Sequence, residues 1–187
     1  MKYKLTDVKI NFMGKTLFQI EAVKCFGDIV KGQKGGFIEK ESNLSQGGNA
    51  WVYGDAEVYG NAWVRGNAKV YDNAKVYGDA EVYGNAWVRG NAKVYGDAKV
   101  YGNAKVYGNA EVHGDADYLV IGPIGSRNDR TTFFKTANND IKVSCGCFTG
   151  TIEEFLEKVN ETHGNNNYAK EYKTAVEIAK IHIFGGE

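Results

Sequence analysis

The chain is poor in several things that would each point to a function. It has three cysteines in 187 residues, Cys25, Cys145 and Cys147. An odd set cannot pair completely, and Cys145-Gly146-Cys147 is too tight for ordinary bridging geometry. A disulfide framework is therefore excluded, and reduced thiols in a cytoplasm are expected. Net charge is missing too, with 23 Lys+Arg against 23 Asp+Glu. A neutral protein has no general pull on nucleic acid polymers or on membrane surfaces, so neither is expected as a partner. No apolar run approaches the length that spans a bilayer, and MKYKLTDVKI lacks the apolar core of a secretion signal. Two neighbouring cysteines and a distant His163 are too few ligands for a metal centre, and neither a metal nor a cofactor is expected.

What the chain does have is repetition. Twelve hexapeptides follow one another without insertion from Gly48 to Leu119: GNAWVY, GDAEVY, GNAWVR, GNAKVY, DNAKVY, GDAEVY, GNAWVR, GNAKVY, GDAKVY, GNAKVY, GNAEVH, GDADYL. Alanine recurs from Ala50 to Ala116. Two residues later valine recurs from Val52 to Val112, and Tyr118 closes the series. A spacing of two places both side chains on one face of a short strand, pointing inward. The residues between and after them then face outward. Gly-Asn and Gly-Asp tolerate positive φ and supply corners. A helix is excluded by one glycine per repeat and by a period of six. A flat meander is excluded because two-residue strands do not hold such a sheet together. The economical solution is a coil that turns three corners and stacks on itself.

Val58-Tyr59-Gly60-Asn61-Ala62-Trp63 shows the motif most plainly, and it resembles the hexapeptide-repeat proteins of the left-handed β-helix type. The resemblance implies three hexapeptides per coil and four coils, a stack of roughly 19 Å at ordinary strand spacing. Proteins of that family are usually homotrimers, and many are acyltransferases with a histidine general base at a subunit interface. His113 breaks the tyrosine series, but no long loop accompanies it and no further coils follow. The expected class is mainly β: a left-handed parallel β-helix over 35–124, an N-terminal β-hairpin cap over 1–34 and a small C-terminal α+β domain over 125–187.

The flanks fill in the picture. Val8, Ile10 and Phe12, a Met13-Gly14-Lys15 turn, then Leu17, Phe18 and Ile20 read as a hairpin plugging the first coil, because an open solenoid end exposes core and unpaired strand edges. Ile38, Leu44 and Val52 predict a degenerate coil with a two-residue insertion. Gly122 and Ile124 keep the hexapeptide register, so the solenoid is expected to run to about Ile124. Beyond it, strands are predicted over 131–136 and 141–145. Thr151 and Glu154 form a capping box that starts a helix with Ile152, Phe155, Leu156 and Val159 on one face. A second helix is predicted from about Tyr168 to Ile181, with Tyr172, Val176, Ile178 and Ala179 on its buried side, giving a β-β-α-α order.

Residues eighteen apart stack on one face, so the positions after each valine form outward aromatic columns. These either stiffen the sheet or are covered by neighbouring subunits. Trp63 with Arg65, and Trp87 with Arg89, each set an indole beside a guanidinium. Such a pair can stack a base and hold a phosphate, or simply pack on itself. In the C-terminal part, Ser126 and Arg127 end a glycine-rich turn, and Arg130, Thr131 and Thr132 follow. Turn N–H groups, hydroxyls and guanidinium groups can cradle an anion. The same residues also fit a Gly-Pro linker followed by surface charge. Cys145, Cys147, Thr149 and Thr151 lead into a helix start, with His163 at its far end. Buried structural cysteines, a pocket wall, and a nucleophilic thiol with His163 as base all fit that pattern.

The tail motifs Ile124-Gly125-Ser126-Arg127 and Cys145-Gly146-Cys147-Phe148-Thr149-Gly150-Thr151 resemble a C-terminal module carried by hexapeptide-repeat proteins of phages and gut bacteria. Phage proteins of this size include oligomeric sponges that sequester nucleotide signals of bacterial immunity, an analogy of class and not of motif. The functional expectation is a non-catalytic homotrimer that binds a small anionic ligand, such as a nucleotide. The rivals are an acyltransferase or Cys/His hydrolase, and a structural solenoid that binds other proteins.

Overall fold

The structure, a computed structural model, describes residues 1–185. Eleven two-residue strands, β4 to β14, recur every six residues, from Trp51–Val52 to Glu111–Val112. They stack in parallel as a β-solenoid of about four coils. Each inward column is one line of the repeat: Val52, Val70, Val88 and Val106 on one face. Val58, Val76, Val94 and Val112 follow Ile38 on the second. Val64, Val82 and Val100 follow Leu44 on the third. Every one of these side chains, and every alanine of the repeat from Ala50 to Ala110, is buried in one continuous core. The step from Leu44 to Val52 holds the two extra residues, as the spacing predicts.

Corners are made by the glycines. Gly78 sits at φ +71°, and a Cβ there would stand 2.9 Å from the backbone nitrogen of Gly96, one coil on. Asp72 takes the corner position in the one repeat without glycine, at φ +59°, and its carboxylate accepts the Gly90 N–H at 3.1 Å. The asparagines that follow form ladders along the corners: Asn49 donates to Asn67, Asn67 to Asn85, and Asn85 to Asn103, at 3.0–3.1 Å.

The strand bonds alternate. An outward residue's N–H donates to a carbonyl one coil further on, as Trp51 does to Ala68 at 3.0 Å and Tyr53 to Val70 at 2.8 Å, while the inward valines face the coil before. Both end coils therefore leave strand N–H and C=O groups with no rung beyond them, and buried polar groups need partners. Donors cover the first end. The buried Lys2 ammonium donates to the carbonyls of Ala50 at 2.7 Å, Gly47 at 3.3 Å and Gly48 at 3.4 Å. Tyr3 donates to Leu44 C=O at 2.7 Å, and the Asn43 amide to Ala62 C=O at 2.8 Å. Acceptors and a donor cover the last end: Asp115 takes the Lys99 N–H at 2.9 Å, Asp117 the His113 N–H at 2.8 Å and the Thr132 hydroxyl the Lys105 N–H at 3.2 Å, while the Tyr118 hydroxyl donates to the Lys99 carbonyl.

Lys2 gives this arrangement a pH signature. Burial pushes its pKa from 10.5 down to about 8. Between those values the unfolded chain holds a proton that the folded chain has lost, so stability rises with pH across the window. Burial pushes Tyr53, Tyr59 and Tyr118 the other way. The stability they contribute is intact below pH 10 and is lost above it. Chemical denaturation should show stability climbing by about 1–2 kcal/mol from pH 8 to pH 10, then falling. Lys2→Met should flatten the climb; an unchanged climb in that variant would remove Lys2 as its cause.

The N-terminal cap is a hairpin, β1 (Tyr3–Phe12) and β2 (Lys15–Ala22), turned by Met13 and Gly14, both at positive φ. Strand β2 pairs antiparallel with β3 (Lys34–Ile38), and β3 continues in parallel into the second solenoid face. Tyr3, Ile20, Ala22 and Ile29 plug the core. Trp51 is expected on the outside, but the cap buries it completely between Tyr3 and Phe26.

At the other end the register expectation fails. Residues 118–124 do not add solenoid rungs. They form β15 (Tyr118–Ile124), which pairs antiparallel with β16 (Asp129–Lys135). Strands β17 (Ile141–Cys145) and β18 (Phe148–Thr151) complete a four-stranded sheet. Two helices follow, α1 (Ile152–His163) and α2 (Asn167–Phe184); α2 buries Tyr172, Val176 and Ala179 as expected, but Ile178 turns to solvent. The predicted β-β-α-α order thus gains a strand at each end of its sheet. Period-two alternation splits the sheet between two cores: Tyr118, Val120 and Phe134 close the solenoid, while Leu119, Ile121, Phe133 and Val143 pack the helices. Thr151 and Glu154 form the expected capping box, with bonds of 2.8 and 3.3 Å. Among the described residues no helix is long and apolar enough to cross a membrane.

Candidate functional site

The β15–β16 and β17–β18 hairpins turn side by side against the helices. Two glycines explain the fit. A Cβ on Gly146 would lie 2.9 Å from the Arg127 guanidinium carbon, so that guanidinium rests on the bare Cys145–Cys147 turn. A Cβ on Gly125 would collide with the Tyr172 ring, so Tyr172 from α2 closes against the other turn. Glu171 holds that turn by accepting the Gly125 N–H at 2.6 Å.

The result is a cleft of about 370 Å³. Ser126 and Arg127 come from one turn, Cys145 and Cys147 from the next, and His163 from the end of α1. Phe148, Phe155, Val159 and Tyr172 make its apolar floor, and Lys158 and Thr162 complete the rim. His163 stacks on Tyr172 with centroids 5.9 Å apart, and its Nε2 lies 3.4 Å from Ser126 Oγ. Burial, and then the neighbouring Cys145 thiol, push the Tyr172 hydroxyl up to about 12, so it stays a neutral donor at physiological pH. Chemically the cleft offers a cationic rim, hydroxyl and thiol groups and a flat apolar floor.

The other expected site residues go elsewhere. Thr131 is buried and donates to Cys145 Sγ at 3.3 Å, so it positions that thiol. Thr132 lies on the opposite sheet face, capping the solenoid. Thr149 is exposed on β18, opposite Ser144. Arg130 faces the seam between sheet and solenoid. Trp63 and Arg65 pack on each other at 4.6 Å; Arg65 also lies 4.0 Å from the Tyr83 ring and pairs with Glu81 at 2.9 Å. Arg89 lies over Tyr107 at 4.7 Å, and Trp87 meets the edge of Tyr71. The tyrosine columns stack as expected, for instance Tyr59, Tyr77 and Tyr95 at 5.0 Å spacing.

Sequence reasoning placed Phe155, Val159 and Tyr172 on helix faces but missed that they floor a cleft, and it missed Phe148, Lys158 and Thr162. The signal available for the last two was the i, i+4 spacing that sets Lys158 and Thr162 one turn apart beside His163. Among the described residues no group of His, Cys, Asp and Glu side chains is arranged to hold a metal ion. No protein-family model matches the chain, and no curated protein matches it.

Proposed function

We propose that this cleft binds a small anionic ligand of the nucleotide class and holds it without turnover. The observation that carries the reading is Arg127. It rests on a glycine turn at the mouth of an apolar-floored cleft and forms no salt bridge or side-chain hydrogen bond among the described residues. A guanidinium so placed is free to take a phosphate or carboxylate, with Ser126, His163 and Lys158 beside it. The floor suits a base or another flat ring. In this reading the protein is a sponge that removes a nucleotide signal from circulation. It works as a homotrimer of left-handed β-helices packed through their tyrosine faces; sedimentation as a monomer would remove the trimer. Titration calorimetry with ADP-ribose and cyclic dinucleotides tests the binding. Saturable heat from at least one of them is expected, and flat heats from all of them would reject the reading.

A second reading is favoured by one observation, that Cys145, Cys147 and His163 line the same cleft. That set suits a thiol hydrolase. Among the described residues, however, His163 makes its side-chain hydrogen bond to Ser126 and to no orienting carboxylate. Incubation with the same nucleotides followed by product analysis separates the two: intact ligand supports the sponge, and cleavage lost in Cys145→Ser supports the hydrolase.

A further inference from the structure

The seam between the solenoid and the C-terminal sheet holds a second set of unsatisfied groups. The asparagine ladder runs one way, each amide N–H donating to the next Oδ1, and Asn103 is its last rung. Eighteen residues on stands Ile121, already in β15, so the Asn103 amide donates to no further rung. Asn103 and Arg130 line both recesses at the seam. One, of about 270 Å³, is walled by Trp87, Lys105, Asn85 and Thr132. The other, of about 370 Å³, opens toward Tyr101, Tyr118 and His182.

We propose that the smaller recess is an anion site for a phosphate monoester carried on a flat ring. Two cations converge on it. The Lys105 ammonium lies 5.6 Å from the centre of the Trp87 ring, and its backbone is tied to the sheet through the Thr132 hydroxyl at 3.2 Å. Arg130 supplies the second charge. One carboxylate, Asp129, also lines the recess and accepts the Arg130 backbone N–H at 2.7 Å, so two cations stand against one anion there. A guanidinium, an ammonium and a free amide match the three terminal oxygens of a phosphate. The half-buried Trp87 indole gives the ring a stacking surface. The recess has room for one ring with its phosphate. This site stands apart from the Arg127 cleft and survives if that cleft binds nothing.

Phenyl phosphate is the probe, with inorganic phosphate and phenol as its halves, and tryptophan fluorescence is the readout. The Arg127 cleft contains no tryptophan, Trp51 is fully buried, and Trp63 lies in the first coil. Phenyl phosphate should quench saturably, and each half should bind at least tenfold more weakly. Arg130→Ala and Lys105→Ala should each weaken the quench about tenfold, with melting unchanged by circular dichroism. Arg127→Ala should leave it as in the parent. Trp87→Phe should abolish the quench while calorimetry still detects binding. Absence of a saturable quench at millimolar probe, a quench unaffected by Arg130→Ala, or inorganic phosphate binding as well as phenyl phosphate would each overturn the proposal.

Discussion

Replacing Arg127 with alanine is expected to weaken ligand binding in the C-terminal cleft by about 10–100-fold, or ~1.5–3 kcal/mol, the scale of a hydrogen bond to a charged group. The melting temperature should move little. Arg127 is exposed and its side chain makes no hydrogen bond or ion pair among the described residues, so its removal opens no cavity and orphans no partner. Arg127→Lys should restore only part of the affinity, because a point charge on a flexible stem cannot present two parallel N–H groups. Calorimetry on the three proteins with one nucleotide ligand reads this directly. Equal affinities in Arg127→Ala and the parent would remove Arg127 from the site.

Replacing Val88 with aspartate should prevent folding altogether. Val88 lies mid-column between Val70 and Val106, is fully buried, and belongs to a core whose repeat columns are alanine and valine. Among the described residues the buried cation is Lys2, held by the Ala50 carbonyl at the capped end. An unpaired buried charge costs more than the 5–15 kcal/mol that holds a typical domain together. Each coil also rests only on its neighbours, so a defect in a middle coil interrupts the stack. Val88→Ala should cost a more modest ~1–3 kcal/mol, a methyl-scale cavity in a close-packed core. Far-UV circular dichroism and solubility distinguish the two variants. An aspartate variant melting within a few degrees of the parent would mean that the column does not face inward.

Much of the solenoid could be read from the chain because one residue in six carries each structural duty. Val52 to Val112 set the inward line, the corner glycines set the bends, and the eight-residue step from Leu44 to Val52 revealed the insertion. The same regularity misled at residues 118–124. Gly122 and Ile124 continue the six-residue count, yet Tyr118, Leu119, Val120 and Ile121 also alternate as a two-faced strand. Only the pairing partner decides between these, and that is Phe133 and Phe134 in β16, which present one ring to each core.

The candidate cleft was legible by its chemistry and not by its shape. Ser126, Arg127, Cys145, Cys147 and His163 stand out in glycine-rich turns and at a helix end, and folding brings all five together. Its floor was not legible, because Phe155, Val159 and Tyr172 look like any helix core. Arg130 was grouped with Arg127 by proximity in sequence. A hairpin tip and a strand separate them, so one guanidinium reaches the cleft and the other the seam. The Arg65 pairing needed the coil length first, since Glu81 and Tyr83 are its neighbours only if eighteen residues make a turn.

Amide chemical-shift mapping on the whole chain tests the central claim most directly, namely that the nucleotide-class ligand is recognised in the Arg127 cleft and not on the tyrosine columns of the solenoid. On titration with ADP-ribose and with a cyclic dinucleotide, the largest shifts should fall on residues 125–127, 145–148 and 158–163, with the Tyr59, Tyr77 and Tyr95 rungs silent. Shifts centred on those tyrosine rungs, with residues 125–127 and 145–148 unmoved, would contradict it.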